Sequence, residues 1–180
     1  MPKLRIFMII AMLFFSTGPS FSQAGEPTFS EYEIKAGFIY NFPKFMEWPI
    51  DSIRDEKRPL TLCISGMDPF GSSLSAISSK TAQNRKLEIK ELGKSRDFKT
   101  CNIVFISSSE KESLPQLIDT LKNSPIVTIG DNTGFAQGGV MINLVMDDDR
   151  VKFEINTESA RRARIVISSK LLKLAKTIYK

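Results

Sequence analysis

The sequence predicts a single α/β domain: a mostly parallel central sheet of about six strands, with flanking helices and a C-terminal antiparallel hairpin. Three observations support this fold class. Short, continuously apolar runs at residues 60–64, 103–106 and 126–129 are typical of strands covered on both faces. Helical patterns alternate with these runs, as they do in parallel sheets whose strands are joined by helices. Residues 140–146 and 151–155 read as two strands around a short acidic turn, which predicts the hairpin.

The helices are predicted from capping signals and apolar spacing. A capping-box pattern at Ser30 and Glu33 begins the first helix, and Asp68 followed by Pro69 marks the start of another. Later helices begin near residue 114, near residue 157 and near residue 168. The predicted stripes are Ile34, Phe38 and Phe42, with the helix bent or ended by Pro43; Phe70, Leu74 and Ile77; Leu114, Leu117, Ile118 and Leu121; and Ile167, Leu171, Leu174 and Ile178. Leu87 and Ile89 alternate with charged residues, which indicates a half-exposed strand.

The first residues have the three parts of a secretory signal peptide. Lys3 and Arg5 precede an apolar run at residues 6–15, and small residues Ser22 and Ala24 follow. We therefore expect residues 1–24 to be cleaved and residues 25–180 to form one domain outside the cytoplasm. The apolar run is about half the roughly 20 residues that a spanning helix needs, and the mature chain offers no other candidate for a transmembrane segment.

The composition excludes several classes of site. The chain contains no histidine, which rules out Ser-His-Asp and Cys-His nucleophilic sites and any histidine-based zinc site. No pair of acidic residues can be placed together for acid–base catalysis, so we expect a non-enzymatic protein without a cofactor or a metal. The net charge of +5 is scattered along the chain and gives little support to nucleic-acid binding. Asp147, Asp148 and Asp149 fit a hairpin turn better than a calcium loop.

The two cysteines, Cys63 and Cys101, are expected to form a disulfide because exported proteins fold in an oxidising compartment. The alternative is that they are two buried small residues. A bridge would stabilise the fold by roughly 3–4 kcal/mol through the unfolded chain. Because both sulfurs are expected to be buried, a structural role is favoured over a redox switch.

Two groups of polar residues are candidate sites. One group follows buried strands and is expected at the carboxyl edge of the sheet, where open α/β folds bind ligands; it comprises Asp68, Ser107, Ser108, Asp131 and Asn132. The alternative is ordinary capping and turn chemistry. The other group is basic and is a candidate surface for an acidic partner or an anionic membrane, the alternative being a solvated helix face; it comprises Lys152, Arg161, Arg162 and Arg164.

Short blocks spread over nearly the whole mature chain resemble the YfiR-like periplasmic proteins, in the order that this family has them. The blocks are residues 35–42 (KAGFIYNF), Lys44-Phe45, residues 47–49 (EWP), Cys63, residues 68–71 (DPFG), Cys101, residues 105–107 (FIS), Phe135, Gly138-Gly139, residues 151–156 (VKFEIN) and residues 167–172 (ISSKLL). Some members carry a second cysteine pair that this sequence lacks, so redox switching by that pair cannot be carried over.

The resemblance implies a periplasmic repressor that binds the periplasmic sensor domain of a membrane-bound diguanylate cyclase and lowers cyclic di-GMP, with less biofilm matrix as the outcome. It also implies a homodimer, although the apolar residues left outside the core form no long exposed stripe. The alternative function is a periplasmic small-molecule-binding module that serves another receptor or a transporter.

Overall fold

The fold is described for residues 29–52, 58–78, 80–93 and 96–180 of a computed structural model, and the predicted signal peptide lies outside these ranges. The strands in this part of the chain are β1 (Met46–Glu47), β2 (Leu60–Ser65), β3 (Thr81–Ala82), β4 (Arg85–Glu91), β5 (Ile103–Ile106), β6 (Val127–Gly130), β7 (Ile142–Asp147), β8 (Arg150–Asn156), β9 (Val166–Ile167) and β10 (Thr177–Tyr179). The helices are α1 (Glu31–Asn41), α2 (Leu114–Leu121), α3 (Thr157–Arg162) and α4 (Ser169–Leu172), with short 3₁₀ helices at Phe42–Phe45, Gly71–Leu74 and Ser108–Glu110.

The predicted fold class is confirmed, with a larger sheet than expected. The described residues form an eight-stranded sheet in the order β10-β8-β7-β6-β5-β2-β4-β3. The pairs from β4 through β2, β5 and β6 to β7 are parallel, as is β10 with β8. Only β7 with β8 and β3 with β4 are antiparallel within this sheet. A separate antiparallel ribbon joins β1 to β9.

The hairpin of β7 and β8 forms around the predicted acidic turn. Asp147 faces Arg150 in the register, so Asp148 and Asp149 make a two-residue loop. Both have positive φ, +47° and +57°. This backbone is the type I′ turn that matches the twist of the flanking strands, and aspartate tolerates it better than most residues do.

The central strands are apolar on both sides because each face of the sheet has its own core. One face is covered by α1, the aromatic residues that follow it, and residues from α3 to α4. The other face is covered by α2, whose Leu114, Leu117 and Leu121 are buried as the helical spacing predicted. Strand β2 has all six residues buried, as expected for a strand between two layers.

Helix α1 has the predicted capping box, but the predicted apolar stripe is wrong at its first position. The Ser30 hydroxyl accepts from the Glu33 N–H, and the Glu33 carboxylate accepts from the Ser30 N–H. Ile34 is 40% exposed, whereas Lys35 and Ala36 are buried. The apolar residues are spread around this helix, so spacing alone does not define its inner face. The helix ends at Asn41, and Pro43 lies in the 3₁₀ turn that follows, as predicted.

Two predicted helices are much shorter in the structure. After Asp68 and Pro69 the chain forms only a 3₁₀ turn, because Gly71 has a left-handed φ of +52° that no α-helix contains. The helix predicted from Ser168 ends at Leu172, which leaves Leu174 exposed. The residues after it form β10 instead. Strand β10 pairs with the otherwise free edge of β8, and the first hydrogen bond of this pairing runs from the Lys176 N–H to the Phe153 carbonyl at 2.7 Å.

Candidate functional sites

The loops that follow β2, β5 and β6 lie side by side at the carboxyl edge of the sheet, as the sequence predicted. In the parallel register Ser65 is paired with Ile106, and Ile106 with Gly130. The candidate ligand-binding residues follow directly, and they lie along this edge: Asp68, Ser107, Ser108, Asp131 and Asn132.

Much of the polar capacity at this edge is used in capping and turns. The Ser107 hydroxyl accepts from the Ser109 N–H at 3.4 Å, and the Ser109 hydroxyl accepts from the Met67 N–H at 3.0 Å. The Asp68 carboxylate accepts from the Phe70 N–H at 2.8 Å. Gly66 is held against these loops with φ of +90°, and a Cβ at this position would lie 2.4 Å from the Ser109 hydroxyl. The loops after β2 and β5 are therefore in direct contact.

Asp131 forms a buried ion pair with Lys35 of α1. The Asp131 carboxylate accepts from the Lys35 ammonium and from the Tyr32 hydroxyl, each at 3.0 Å, and Lys35 also binds Glu31 at 2.6 Å. The side chains of Lys35 and Asp131 are only 4% and 2% exposed. Within the described residues, the second carboxylate oxygen of Asp131 is buried without a hydrogen-bond partner. Tyr32 stacks edge-on against Phe70 at 5.3 Å between centroids, which helps to hold α1 over this edge.

The Lys35–Asp131 pair affects the pKa values of Lys35 and Tyr32. Burial alone would lower the pKa of Lys35, but the hydrogen bonds to Glu31 and Asp131 outweigh it and raise that pKa. Burial, followed by the negative charge of Asp131, raises the pKa of Tyr32. Sequence reasoning missed Lys35 and Tyr32 as parts of this edge. The Glu31–Lys35 spacing is visible in the sequence, but nothing there connects it to a residue almost a hundred positions later.

The predicted disulfide is present between Cys63 and Cys101. The two Cα atoms are 5.8 Å apart, and the bridge spans 38 positions of sequence. Cys63 lies in β2 and Cys101 lies just before β5, the neighbouring strand. They are 0% and 6% exposed, within the core on the α2 side. The bridge therefore ties two adjacent strands from inside the molecule.

The basic candidate residues fall into two places at opposite ends of β8. Lys152 lies beside the hairpin turn, where it and Lys176 bind Asp147, and these two hydrogen bonds lower the pKa of Asp147 to about 2. The three arginines lie beyond the other end of the strand. Arg161 makes two hydrogen bonds of 2.8 Å to Glu158, and Arg164 binds Asp51 at 3.1 Å.

Two exposed apolar side chains lie next to the Arg164–Asp51 pair in sequence. Ile50 is 93% exposed and Val166 is 58% exposed. The Arg164–Asp51 ion pair and the pairing of Glu47 with Val166 both join the segment of Ile50 to the segment of Val166. We call this region the arginine patch; it comprises Arg161, Arg162, Arg164, Ile50 and Val166.

The opposite edge of the sheet carries a groove of about 820 Å³ that no sequence motif indicated. Its walls include the residues at or just before the amino ends of four parallel strands, namely Thr61, Arg85, Asn102 and Ile126. The Arg85 guanidinium is anchored in the wall by hydrogen bonds to the carbonyls of Arg58 and Pro59, at 2.7 and 3.0 Å. Cys101 also lines this amino-edge groove, so the disulfide braces one of its walls.

The described residues offer neither a metal-binding cluster nor a membrane-spanning helix. No group of three or more histidine, cysteine, aspartate or glutamate side chains in these ranges is placed to hold a metal ion. None of the helices in the described part of the chain has the length and apolar character to cross a membrane.

Comparison with known proteins places the chain by sequence and by fold. The model of the YfiR/HmsC-like family matches residues 32–176. A conserved domain protein from Vibrio cholerae O1 biovar eltor has a similar fold, with a TM-score of 0.53 and 13% identity over 83% of this chain. An ABC domain from Streptococcus pneumonia, solved in complex with L-Trp, gives a TM-score of 0.47 and 12% identity over 72% of this chain. This chain spans 60% of the length of each of these two proteins.

Proposed function

Since this chain belongs to the YfiR/HmsC-like family, we propose that it is a non-enzymatic periplasmic regulator of cyclic di-GMP signalling. It represses an inner-membrane diguanylate cyclase by binding the periplasmic sensor domain of that enzyme. The observation that carries the proposal is the extent of the family match. Residues 32–176 include all strands of the described fold except β10, so the match extends over nearly the whole sheet.

The buried disulfide supports the proposed compartment. Disulfides form and persist in the bacterial periplasm and are rare in the cytosol, where thiols are kept reduced. A buried bridge between Cys63 and Cys101 is thus suited to an exported protein.

We assign the arginine patch as the surface that binds the cyclase. Protein interfaces commonly have an apolar centre with arginine among its strongest contributors and a polar rim. The patch offers Ile50 and Val166 as the apolar element, and the side chain of Arg161, five residues before Val166, is 74% exposed. Glu158 and Asp51 hold the arginines in place without hiding them. The complementary surface on the cyclase sensor domain is expected to be acidic.

The first test is deletion of the gene in its native host, followed by measurement of intracellular cyclic di-GMP. We expect the level to rise and to return when the wild-type gene is restored. An unchanged level in cells shown to make the protein would contradict the repressor function and favour the small-molecule-binding module.

The second test separates the patch from the rest of the surface. The Arg161→Glu/Arg162→Glu variant should fold normally, since the Arg161 and Arg162 side chains are 74% and 37% exposed, yet fail to restore repression. The matched control is Lys86→Glu/Lys111→Glu, which makes the same change of charge at exposed positions elsewhere. Full repression by the patch variant, or loss of repression by the control as well, would refute docking at the patch.

A further inference from the structure

We propose that the amino-edge groove binds a small organic anion, whose phosphate or carboxylate group meets the cationic wall and whose apolar part lies against Phe98. This site is at the opposite edge of the sheet from the candidate ligand residues predicted by the sequence. The proposal stands independently of the cyclase, because it concerns binding to the purified protein. Its three supports are the size of the groove, the charge of the lining and the placement of an apolar wall.

The groove has the dimensions of a small-molecule site. Pockets that hold small ligands have volumes of roughly 300–1,000 Å³, and the amino-edge groove is about 820 Å³. Its wall is anchored rather than loose. Asn102 and Thr61 are joined by two hydrogen bonds between β2 and the start of β5, and the Cys101 N–H donates to the Phe98 carbonyl at 3.0 Å.

The described lining carries more positive than negative side chains. It contains four cationic side chains, Arg58, Arg85, Arg96 and Lys99, and two carboxylates, Asp51 and Asp97. Both carboxylates have partners: Asp51 accepts from Arg164, and Asp97 accepts from the Lys99 N–H at 3.1 Å. The Lys99 ammonium forms no ion pair with the described residues. Arg96 also lines the groove, but its guanidinium donates to Glu110 at 2.8 Å, in the turn that follows β5, so Lys99 is the cation on which the test below relies.

The remaining lining divides into two chemical types. Hydroxyl groups that can donate to an oxyanion come from Thr61, Thr100 and Ser124, whereas the hydroxyls of Ser52 and Thr120 already donate to the carbonyls of Pro49 and Gln116. The apolar part comes from Phe98, Leu121, Pro125 and Ile126, and it is continuous with the core beneath α2. A ligand that is charged at one end and apolar at the other fits this division better than inorganic phosphate alone does.

The test uses purified protein that was exported during expression, so that the Cys63–Cys101 bridge forms. Isothermal titration at low salt compares phenyl phosphate, benzoate and the neutral benzamide. We expect saturable binding of one phenyl phosphate or one benzoate per chain, with the stronger of the two identifying the head group, and no binding of benzamide. Binding should weaken at high salt, because the contact is partly electrostatic.

Variants locate the site. Lys99→Glu should weaken binding about tenfold, since it removes a charged hydrogen bond and adds repulsion. Lys173→Glu, an equivalent change at an exposed position outside the groove lining, should leave binding unchanged. Chemical-shift changes in the wild-type protein should fall on residues 96–102. Absence of saturable binding of either anion up to about 10 mM, equal binding of benzamide, equal binding by Lys99→Glu or shift changes elsewhere would each overturn the proposal.

Discussion

Removal of the disulfide should cost this domain a large part of its stability. A bridge across 38 positions restricts the unfolded chain, and the loop-closure relation at this length gives a stabilisation of about 4 kcal/mol. Domains of this size unfold with a net free energy of about 5–15 kcal/mol, so the Cys63→Ala/Cys101→Ala variant should remain folded but marginal. Its melting temperature should fall by about 8–16 °C.

The assay is equilibrium unfolding in urea followed by far-UV circular dichroism, with and without reductant. Wild-type protein that is reduced while unfolded should show the same transition as the double variant, and reductant should not move the transition of the variant. Both sulfurs are almost completely buried, so the folded wild type should resist reduction for much longer than the unfolded chain. A loss of stability below about 1 kcal/mol would refute the chain-restriction argument. Rapid reduction of the folded protein would refute the structural role in favour of a redox switch.

Three further predictions concern the carboxyl edge and the hairpin. Lys35→Met should destabilise the fold by about 3–5 kcal/mol in urea titration, because it leaves the Asp131 carboxylate buried without its cation. The double variant Lys35→Met/Asp131→Asn should recover part of that loss. Equal losses in the two variants would contradict the stabilising role of the ion pair. Gly66→Ala should lower the free energy of unfolding by about 2–4 kcal/mol, because it combines a left-handed backbone with a clash against Ser109. The control is Gly37→Ala, in open space within α1, which should be neutral or stabilising by up to about 1 kcal/mol. Similar effects at the two glycines would refute the contact. The pKa of Asp147 falls from 3.8 to about 2 on folding, so its contribution to stability is present above pH 3.8 and is lost as the pH falls towards 2. Asp147→Asn should therefore lower the urea midpoint at neutral pH and unfold at the same midpoint as wild type in acid. An equal shift at both pH values would contradict the assignment.

The parts of the fold that sequence predicts well are those in which one local signal decides the outcome. Helix α2 has a clear apolar stripe, and the same residues are buried in the structure. The hairpin turn has aspartates where the backbone needs positive φ, and the buried strands are continuous apolar runs. The fold class follows from these elements because the topology rules leave few arrangements for them.

The parts that sequence does not predict depend on distant partners. The segment from Thr177 to Tyr179 has an apolar residue in phase with a helix, yet it becomes a strand because the edge of β8 is free to pair with it. Lys35 is a charged residue in an apolar stretch, and only the folded chain places Asp131 beside it. The amino-edge groove is formed by loops before several strands, so no contiguous pattern marks it.

The ribbon of β1 and β9 has a consequence for the order of folding. Met46 pairs with Ile167, so two segments more than a hundred residues apart must meet before this part of the core can close. Folds dominated by such non-local pairings fold slowly, because the entropy of closing a long loop is lost before the contact forms. An incompletely synthesised chain that lacks residues 166–167 cannot complete the domain. Slow completion would keep the new chain unfolded for longer, which suits the export that we propose for this protein.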